Sequence, residues 1–403
     1  ENRLCGPILT ASRGSCKKMK RFYVDLHIHI GRTWTGKPVK ITGAKSLTFT
    51  NIIEHARHEK GLNMIGIIDS HSPEVILEME SLVSSGDIVE HPDGGLAFGD
   101  LTVIPGSELE IYDEQCNGPI HVLCYFPTIV IMKEFSNWLS NHLKNVQLSS
   151  QRIYVSGLEL QRKVKEIGGI FIPAHVFTPF KSLYGKGVNK SLTEVFDPSL
   201  IDGIELGLSS NTMMADQISE LHNYTFVTNS DAHSLAKIAR EYQVISMNEP
   251  SFKELGMALR REEGRQIIAN YGLDPLLGKY HKTVCAKCLH PAHEEDQICT
   301  QCGKNQIVKG VADRILELKT ADHSPEGRPP YVHQVPLDFI PGLGPKLLEK
   351  LVNHFGSEMA ILHEVPYQAL TEVVPPKIAD LIMKAREGKV TLTAGGGGKY
   401  GKI

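Results

Sequence analysis

Short apolar runs that alternate with helix-length amphipathic segments are the feature that most constrains the fold of this sequence. The runs predicted as strands cover residues 22–26, 64–68, 101–104, 120–125, 169–172, 203–206 and 224–227. Helical patterns cover residues 51–59, 73–84, 133–143, 156–167, 213–221 and 252–260. This alternation predicts an α/β layer fold with a mostly parallel sheet. A closed barrel of seven or eight strands fits the count; an open doubly wound sheet is the alternative, but its Gly-rich fingerprint is missing.

The composition excludes several classes of protein. Apolar residues make up 41% of the 403 residues and charged residues 22%, which is typical of globular chains. No apolar run approaches the roughly 20 residues that a membrane span needs, and residues 1–18 contain no apolar signal segment. These residues are interpreted as a tail or an upstream-translated artefact. We therefore expect a cytoplasmic protein without a membrane partner.

Most of the predicted strands end in a His, Asp or Glu. His27 and His29 alternate along the first strand, so both imidazoles point to the same side. Because the carboxyl ends of barrel strands converge on one mouth, we expect a shared metal site there. Its predicted ligands are His27, His29, Asp69, His71, Glu108, His121, His175, Asp231 and His233. For Asp69, and for Glu205 at a further strand end, the alternative is a hydrogen bond to a ligand histidine.

So many nitrogen and oxygen ligands are too many for one ion. They suit two or three divalent ions, with Zn, Mn, Fe and Mg as candidates. Metal ions about 4 Å apart favour hydrolysis of phosphate esters, because they activate water and neutralise the phosphate and the leaving oxygen. The pattern therefore predicts a phosphoesterase.

Four of the eight cysteines form two Cys-x-x-Cys knuckles that are close in sequence. They are Cys285, Cys288, Cys299 and Cys302, and this spacing predicts one closed, structural Zn site. A redox pair is the weaker alternative.

A tight turn before an apolar helix pattern predicts DNA-backbone binding near the C-terminus. Gly342 and Gly344 would let a phosphate approach, and Lys346 would add a positive charge. The turn resembles a helix-hairpin-helix motif. A degenerate second copy contains Lys377 but has Pro where Gly is expected. The alternative for each copy is an ordinary helical turn.

The strand-end residues resemble the motif series of the PHP (polymerase and histidinol phosphatase) family. The matching residues are His27, His29, Asp69, His71, Pro105, Gly106, Ser107, Glu108, His121, His175, Ser230, Asp231, Ala232 and His233. The resemblance implies a distorted seven-stranded barrel with a trinuclear metal site. The chain departs from the family by having Ser70 between Asp69 and His71, and by lacking a histidine in residues 31–37.

The order of barrel, four-cysteine ribbon, residues 328–331 (Arg-Pro-Pro-Tyr) and glycine hairpin resembles the endonuclease Q family. This resemblance implies repair of double- or single-stranded DNA with damaged bases, in association with the nucleoid. The bond on the 5′ side of deaminated bases (uracil, hypoxanthine, xanthine) and abasic sites would be cut, leaving 3′-hydroxyl and 5′-phosphate ends. A sliding clamp is a further candidate partner.

The motifs divide the chain into a series of expected units. They are a tail (1–18), the PHP barrel (19–278), the zinc ribbon (279–310), a connector (311–335), the helix-hairpin-helix domain (336–389) and a flexible tail (390–403). The fold class is therefore α/β, with a small ribbon and an all-helical C-terminal domain after the barrel.

In the expected mechanism Asp231, His233 and His71 act in catalysis. His27, His29, Glu108 and Asp231 hold one ion, His121 and His175 a second, and His71 with His233 a third. Two alternatives are a small-molecule phosphatase of the histidinol-phosphatase type and a non-catalytic DNA-binding protein.

Overall fold

The structure, a computed structural model, describes residues 19–278, 280–293 and 295–389. The two predicted tails, 1–18 and 390–403, lie outside the described residues. The strands of the first unit are β1 (Lys20–Ile28), β2 (Met64–Ile67), β3 (Val89–Glu90), β4 (Leu96–Phe98), β5 (Leu101–Ile111), β6 (Ile120–Tyr125), β7 (Arg152–Ile153), β8 (Ile170–Pro173), β9 (Ile204–Glu205), β10 (Phe226–Val227), β11 (Tyr242–Met247) and β12 (Gln266–Gly272). Its helices are α1 (Phe49–Glu54), α2 (Pro73–Ser85), α3 (Ile129–Ser140), α4 (Gly157–Glu166), α5 (Thr212–Ala215) and α6 (Phe252–Arg260).

Seven of these strands form a closed ring in the order β1, β2, β5, β6, β8, β9 and β10. Next to β8 lies the chain just before β9, where Asp202 N donates to Phe171 O at 3.0 Å. The ring closes where the chain after β10 meets β1. There Ala232 N donates to His27 O and His29 N donates to Ala232 O, both at 3.1 Å. The predicted seven-stranded α/β barrel is confirmed.

The expectation of a mostly parallel sheet is wrong. Strands β1, β2 and β5 are parallel, but β5–β6 and β6–β8 are antiparallel. Residues 112–119 between β5 and β6 are too few for the crossover helix that a parallel pair requires. Strand β5 also continues to Ile111, well beyond the predicted end at residue 104. Glu108 therefore lies within a strand rather than at its end.

Strand β1 also pairs on its other edge with β11, which in turn pairs with β12. The strand β15 (Tyr331–His333) of the connector adds to β12 in parallel. Val24, Leu26, Leu123 and Ile172 belong to one buried apolar cluster of the barrel strands, and a second cluster extends into the C-terminal helices. The metal-ligand candidates therefore stand on a rigid, well-buried frame.

The remaining elements are short. They are β13 (Val284–Cys285), β14 (Ile307–Val308), α7 (Val311–Leu318), α8 (Pro345–Phe355), α9 (Glu358–His363), α10 (Tyr367–Val373) and α11 (Pro376–Arg386). The helical part contacts the barrel through Lys60, whose Nζ lies 2.9 Å from Glu358 Oε1. His363 stacks on Tyr23 with a ring-centroid distance of 4.7 Å. The predicted domain boundaries stay a prediction. Among the described residues, no helix is long and apolar enough to cross a membrane.

Candidate active site

Seven side chains from distant parts of the chain meet at one end of the barrel. Asp231 Oδ1 lies 3.4 Å from both His27 Nε2 and His29 Nε2. Glu108 Oε1 lies 2.9 Å from His121 Nδ1 and 3.3 Å from His175 Nε2. The same Glu108 carboxylate lies 3.6 Å from each of the Nε2 atoms of His27 and His29.

The donors form three overlapping groups, each compact enough to surround one ion. These groups are His27, His29 and Glu108; His29, Asp231 and His233; and Glu108, His121 and His175. Glu108 belongs to two groups and His29 to two, so the arrangement suits bridged ions. The nitrogens His27 Nε2 and His29 Nε2 are buried and have no hydrogen-bond partner within the described residues. Because unpaired buried polar atoms are costly, they fit a bound cation.

The opposite ring nitrogens of these two histidines are held by carboxylates. His27 Nδ1 donates to Glu205 Oε1 at 2.9 Å, and Asn229 Nδ2 donates to the same oxygen at 2.8 Å. His29 Nδ1 donates to Asp69 Oδ2 at 3.0 Å. Such carboxylate–histidine contacts set the tautomer that turns Nε2 towards a metal.

The electrostatics of the cluster favour positive charge. Burial raises the pKa of Glu108, but His121, together with His175 and Lys40, holds it well below its ordinary value. Burial lowers the pKa of His27, but the carboxylates of Glu205 and Asp231 outweigh it and raise the value to about 10. The ionised carboxylates around the buried imidazoles therefore attract positive charge. Divalent metal ions would supply that charge.

Two of the clustered residues lie in the left-handed region of backbone conformation. His175 has φ of 31° and Asp231 has φ of 47°. A Cβ on Gly207 would lie 2.6 Å from the Cβ of His175, so only glycine fits beside that residue. Residues held in sparsely populated conformations are concentrated at functional sites, and here both of them are metal-ligand candidates.

The four predicted zinc-ligand cysteines are also brought together. Their sulfur atoms all lie within 4.8 Å of one another, and neither His290 nor His293 joins the group. Cys285 Sγ lies 3.6 Å from Cys302 Sγ, and Cys288 Sγ lies 3.4 Å from Cys299 Sγ. Metal–sulfur bonds of about 2.3 Å in a tetrahedron place sulfur atoms about 3.8 Å apart. The thiol set therefore fits one closed metal site.

Comparisons with known proteins agree with this architecture. Residues 210–263 match the family model of the PHP-associated region. A Bacillus subtilis (strain 168) relative, the uncharacterized protein YqxK, is 59% identical over 385 residues, 96% of this chain and 100% of the relative. The lesion-specific endonuclease PfuEndoQ from Pyrococcus furiosus has a crystal structure that is similar, with a TM-score of 0.82, 32% identity and coverage of 95% of both chains.

The chain belongs to the endonuclease Q family. It is therefore an endonuclease of the metal-dependent PHP type. A second similar structure is an endonuclease Q complex with a 27-mer duplex that carries an abasic lesion at the active site. It has a TM-score of 0.81, 32% identity and coverage of 95% of this chain and 96% of that one.

In the structure, His71 and His233 do not belong to one donor group. His71 Nε2 donates to Leu148 O at 3.3 Å, and its Nδ1 is hydrogen-bonded to Ser107 Oγ at 2.8 Å. Both ring nitrogens thus contact the protein, so the geometry does not favour the pair of His71 with His233 at a third ion, which stays a prediction. His233 instead joins His29 and Asp231. The extra residue Ser70 between Asp69 and His71 is the sequence departure that accompanies this difference.

Asp69 lies beside the cluster rather than within one of its three groups. Its Oδ2 accepts hydrogen bonds from His29 Nδ1 and from Ile30 N. Its Oδ1 is buried without a hydrogen-bond partner among the described residues. The geometry favours the alternative role in which Asp69 orients a histidine, and its role as a ligand stays a prediction.

Sequence reasoning missed a lysine that reaches the cluster. Lys40 Nζ lies 3.5 Å from Glu108 Oε2 and 2.6 Å from Ser150 Oγ, and the Ser150 hydroxyl also donates to Glu108. Lys40 lies in an irregular segment, so the pattern of polar residues at strand ends does not identify it. Glu110 was missed because β5 was ended too early; its Oε2 lies 3.4 Å from His121 Nε2.

The two predicted hairpin turns lie side by side. A Cβ on Gly342 would lie 3.6 Å from Ile378 Cδ1, and Ile378 follows Lys377 directly. Gly342 has φ of 85°, so the turn requires glycine, and Gly344 caps α8. Gly344, Lys346 and Lys377 are exposed. Exposed backbone and positive charge suit a phosphate backbone, although their DNA-binding role stays a prediction.

The loop after His175 lies next to the cluster. Lys181 O accepts from His121 N at 3.0 Å, and Lys181 Nζ lies 2.9 Å from Glu110 Oε2. Phe180 is exposed, with Lys186 Nζ 5.7 Å from its ring centroid. The loop therefore presents an aromatic ring and basic side chains beside the metal-ligand candidates.

Proposed function

We propose that the protein is a DNA repair endonuclease that cuts the phosphodiester on the 5′ side of a damaged nucleotide. The lesions would be deaminated bases (uracil, hypoxanthine, xanthine) and abasic sites, and the products would carry 3′-hydroxyl and 5′-phosphate ends. The observation that carries the proposal is the three-group donor cluster in a chain 32% identical to an endonuclease Q whose complex has an abasic lesion at its active site.

The three donor groups would hold two or three divalent ions. Ions bound there would supply Lewis-acid charge for hydrolysis of a phosphodiester by water. His27, His29, Glu108 and Asp231 would hold the first ion, His121 and His175 the second, and His233 with Asp231 and His29 the third. The side chains of Asp231 and His233 are 31% and 37% exposed, whereas His27, His29 and Glu108 are buried. Asp231 and His233 therefore mark the face from which substrate approaches.

Residues around the donor groups have defined positioning roles in this proposal. Glu205 and Asp69 orient the imidazoles of His27 and His29. Lys40 holds the Glu108 carboxylate together with Ser150, and its ammonium group adds positive charge beside the position of the phosphate.

Damaged bases pair weakly, so extruding them from the duplex into a site costs less free energy than extruding a normally paired base.

The test is a cleavage assay on duplexes with one uracil, one hypoxanthine, one xanthine, one abasic site or no lesion. Each is incubated with the full-length protein and Mg, Mn or Zn. We expect a single nick 5′ of the lesion, and we expect the undamaged duplex to stay intact. Ligation of the nick after the protein is removed would establish the 3′-hydroxyl and 5′-phosphate ends.

Other outcomes of that assay contradict the proposal. Equal cutting of damaged and undamaged duplexes would remove lesion specificity. Release of phosphate from small esters alone would support the small-molecule phosphatase, and DNA binding without cutting would support a non-catalytic protein.

Binding through the two hairpin turns predicts a change in salt dependence. In the double variant Lys346→Gln/Lys377→Gln we expect weaker binding of all duplexes. The slope of log affinity against log salt should fall by about 2, since each lost phosphate contact removes about one counterion. Fluorescence anisotropy at four or more salt concentrations measures the slope.

The matched control is Lys20→Gln/Lys253→Gln. Both lysines are exposed. Lys20 begins β1 at the end opposite to His27 and His29, and Lys253 lies in the first turn of α6, which follows β11. The control should keep the wild-type slope. An unchanged slope in Lys346→Gln/Lys377→Gln would show that these turns do not hold the backbone.

A further inference from the structure

A cleft of about 510 Å³ opens in the segment of residues 31–48, and none of the residues that line it has a role above. Its lining includes Arg32, Trp34, Pro38, Lys45 and Thr48. This lining combines an exposed aromatic ring with two cationic side chains. Such a combination is typical of surfaces that hold single nucleotides of a DNA strand.

The segment that forms the cleft is attached directly to the metal-ligand candidates. It begins two residues after His29, and Ala44 N donates to His233 O at 2.9 Å. Between these points, Lys40 Nζ reaches to within 3.5 Å of Glu108 Oε2. The cleft therefore lies in the same segment that contacts the cluster through Lys40 and Ala44.

Trp34 is 51% exposed although its loop is firmly held. Thr33 N donates to Lys37 O and Gly36 N donates to Thr33 O, each at 2.9 Å. Thr35 Oγ1 donates to Glu74 Oε2 at 2.6 Å, and Lys37 forms an ion pair with the same carboxylate. A large apolar ring that a rigid turn keeps in solvent loses little conformational entropy on binding, which is what a stacking platform requires.

Arg32 and Lys45 supply the positive charge of the cleft, and Lys45 is exposed. Arg32 Nη1 is buried and has no hydrogen-bond partner in the described part of the chain. Guanidinium and ammonium groups bind phosphate oxygens by charge-assisted hydrogen bonds. The charge of Arg32 and Lys45 thus complements a nucleic-acid backbone, while Trp34 complements a base.

We propose that this cleft binds one nucleotide of the cut strand beside the scissile bond, with its base stacked on Trp34 and its phosphate held by Arg32 and Lys45. This inference rests on the proposed function, because it takes DNA as the substrate. It adds a positioning site that is separate from the donor groups and from the hairpin turns.

The protein's two tryptophans, Trp34 and Trp138, make the stacking directly measurable. Tryptophan fluorescence of the Asp231→Asn protein, which should bind without cutting, is titrated with a duplex that carries one abasic site. We expect quenching that is retained with Trp138→Phe and largely lost with Trp34→Phe. Trp138 is the control because it stacks on Phe135 and does not line the cleft.

Binding and kinetics give a second readout. We expect Trp34→Ala to weaken duplex binding by about 5- to 150-fold, the range for loss of one base–aromatic stack, and Trp34→Phe to restore part of it. Leu316→Ala, which removes another exposed apolar side chain, should bind as the wild type does. Arg32→Gln/Lys45→Gln should lower the salt slope by about 1, since both side chains hold one phosphate.

The results separate the two proposals. If lesion duplexes are nicked but neither quenching nor binding depends on Trp34, the nucleotide-binding role of the cleft is wrong. The endonuclease function is then unaffected. Trp34-dependent quenching without any nicking would support the cleft and overturn the endonuclease function. A binding loss in Trp34→Ala that Trp34→Phe does not reduce at all would also contradict stacking.

Discussion

Replacing Asp231 by Asn is expected to abolish cleavage while DNA binding is largely kept. Asp231 Oδ1 lies 3.4 Å from two histidine nitrogens, and this residue has φ of 47°. Asparagine tolerates that backbone conformation, so the fold should survive the change. Loss of the charge removes a candidate metal ligand. The cleavage rate constant should therefore fall by more than the roughly 10- to 100-fold that is typical when a residue hydrogen-bonded to a metal ligand is replaced.

Single-turnover cleavage, duplex binding by anisotropy and bound metal by mass spectrometry are measured on the same protein preparation. The control is Asp87→Asn, an exposed aspartate on a surface turn after α2. Loss of both cleavage and binding would contradict the separation between the metal cluster and the DNA-binding surfaces. Unchanged cleavage would remove Asp231 from the site.

The double variant Cys285→Ser/Cys299→Ser is expected to lose one tightly bound zinc and the order of the ribbon. The small antiparallel β13–β14 pair buries few apolar side chains, so the metal must supply the stability of this unit. Structural zinc contributes an apparent binding energy of about 10–16 kcal/mol in zinc-finger peptides. We therefore expect rapid proteolysis within residues 280–308, with the barrel fragment left intact.

Cys116→Ser is the matched control, because Cys116 lies outside the thiol group and is half-buried. It should retain the zinc content of the wild type. Equal zinc content and protease resistance in Cys285→Ser/Cys299→Ser would show that the four thiols do not hold a metal.

Local sequence patterns predicted many of the barrel elements well. Strand 120–125 and helix 252–260 have the predicted bounds. The predicted helix 213–221, by contrast, is only α5 (Thr212–Ala215) and a separate short turn (Ser219–Leu221). Periodicity reports which face of a segment is apolar, but it does not report whether the chain keeps helical hydrogen bonds along the whole segment.

The direction of strand pairing was not predictable in the same way. The connection between β5 and β6 decides it, and recognising that connection as short required knowing that β5 continues to Ile111. Polar residues such as Glu108 and Glu110 interrupt the apolar pattern because they face the metal-ligand candidates. The polar residues of the functional site thus interrupt the alternation by which the full length of β5 would be recognised in the sequence.

The sequence by itself determined the kinds of donor and their approximate place. Histidines and carboxylates after apolar strands indicated a metal cluster at a barrel mouth, and two Cys-x-x-Cys knuckles indicated a closed thiol site. These inferences depend on alternation along a strand and on local spacing, which are properties of the chain near each residue.

Only the tertiary structure decided which donors meet. It turned His71 towards Leu148 and Ser107, joined His233 to His29 and Asp231, and brought Lys40 to within 3.5 Å of Glu108. These contacts join residues far apart along the chain, across ring closure at Ala232 and through an irregular segment. No local pattern encodes such contacts, because they depend on how separate elements pack in space.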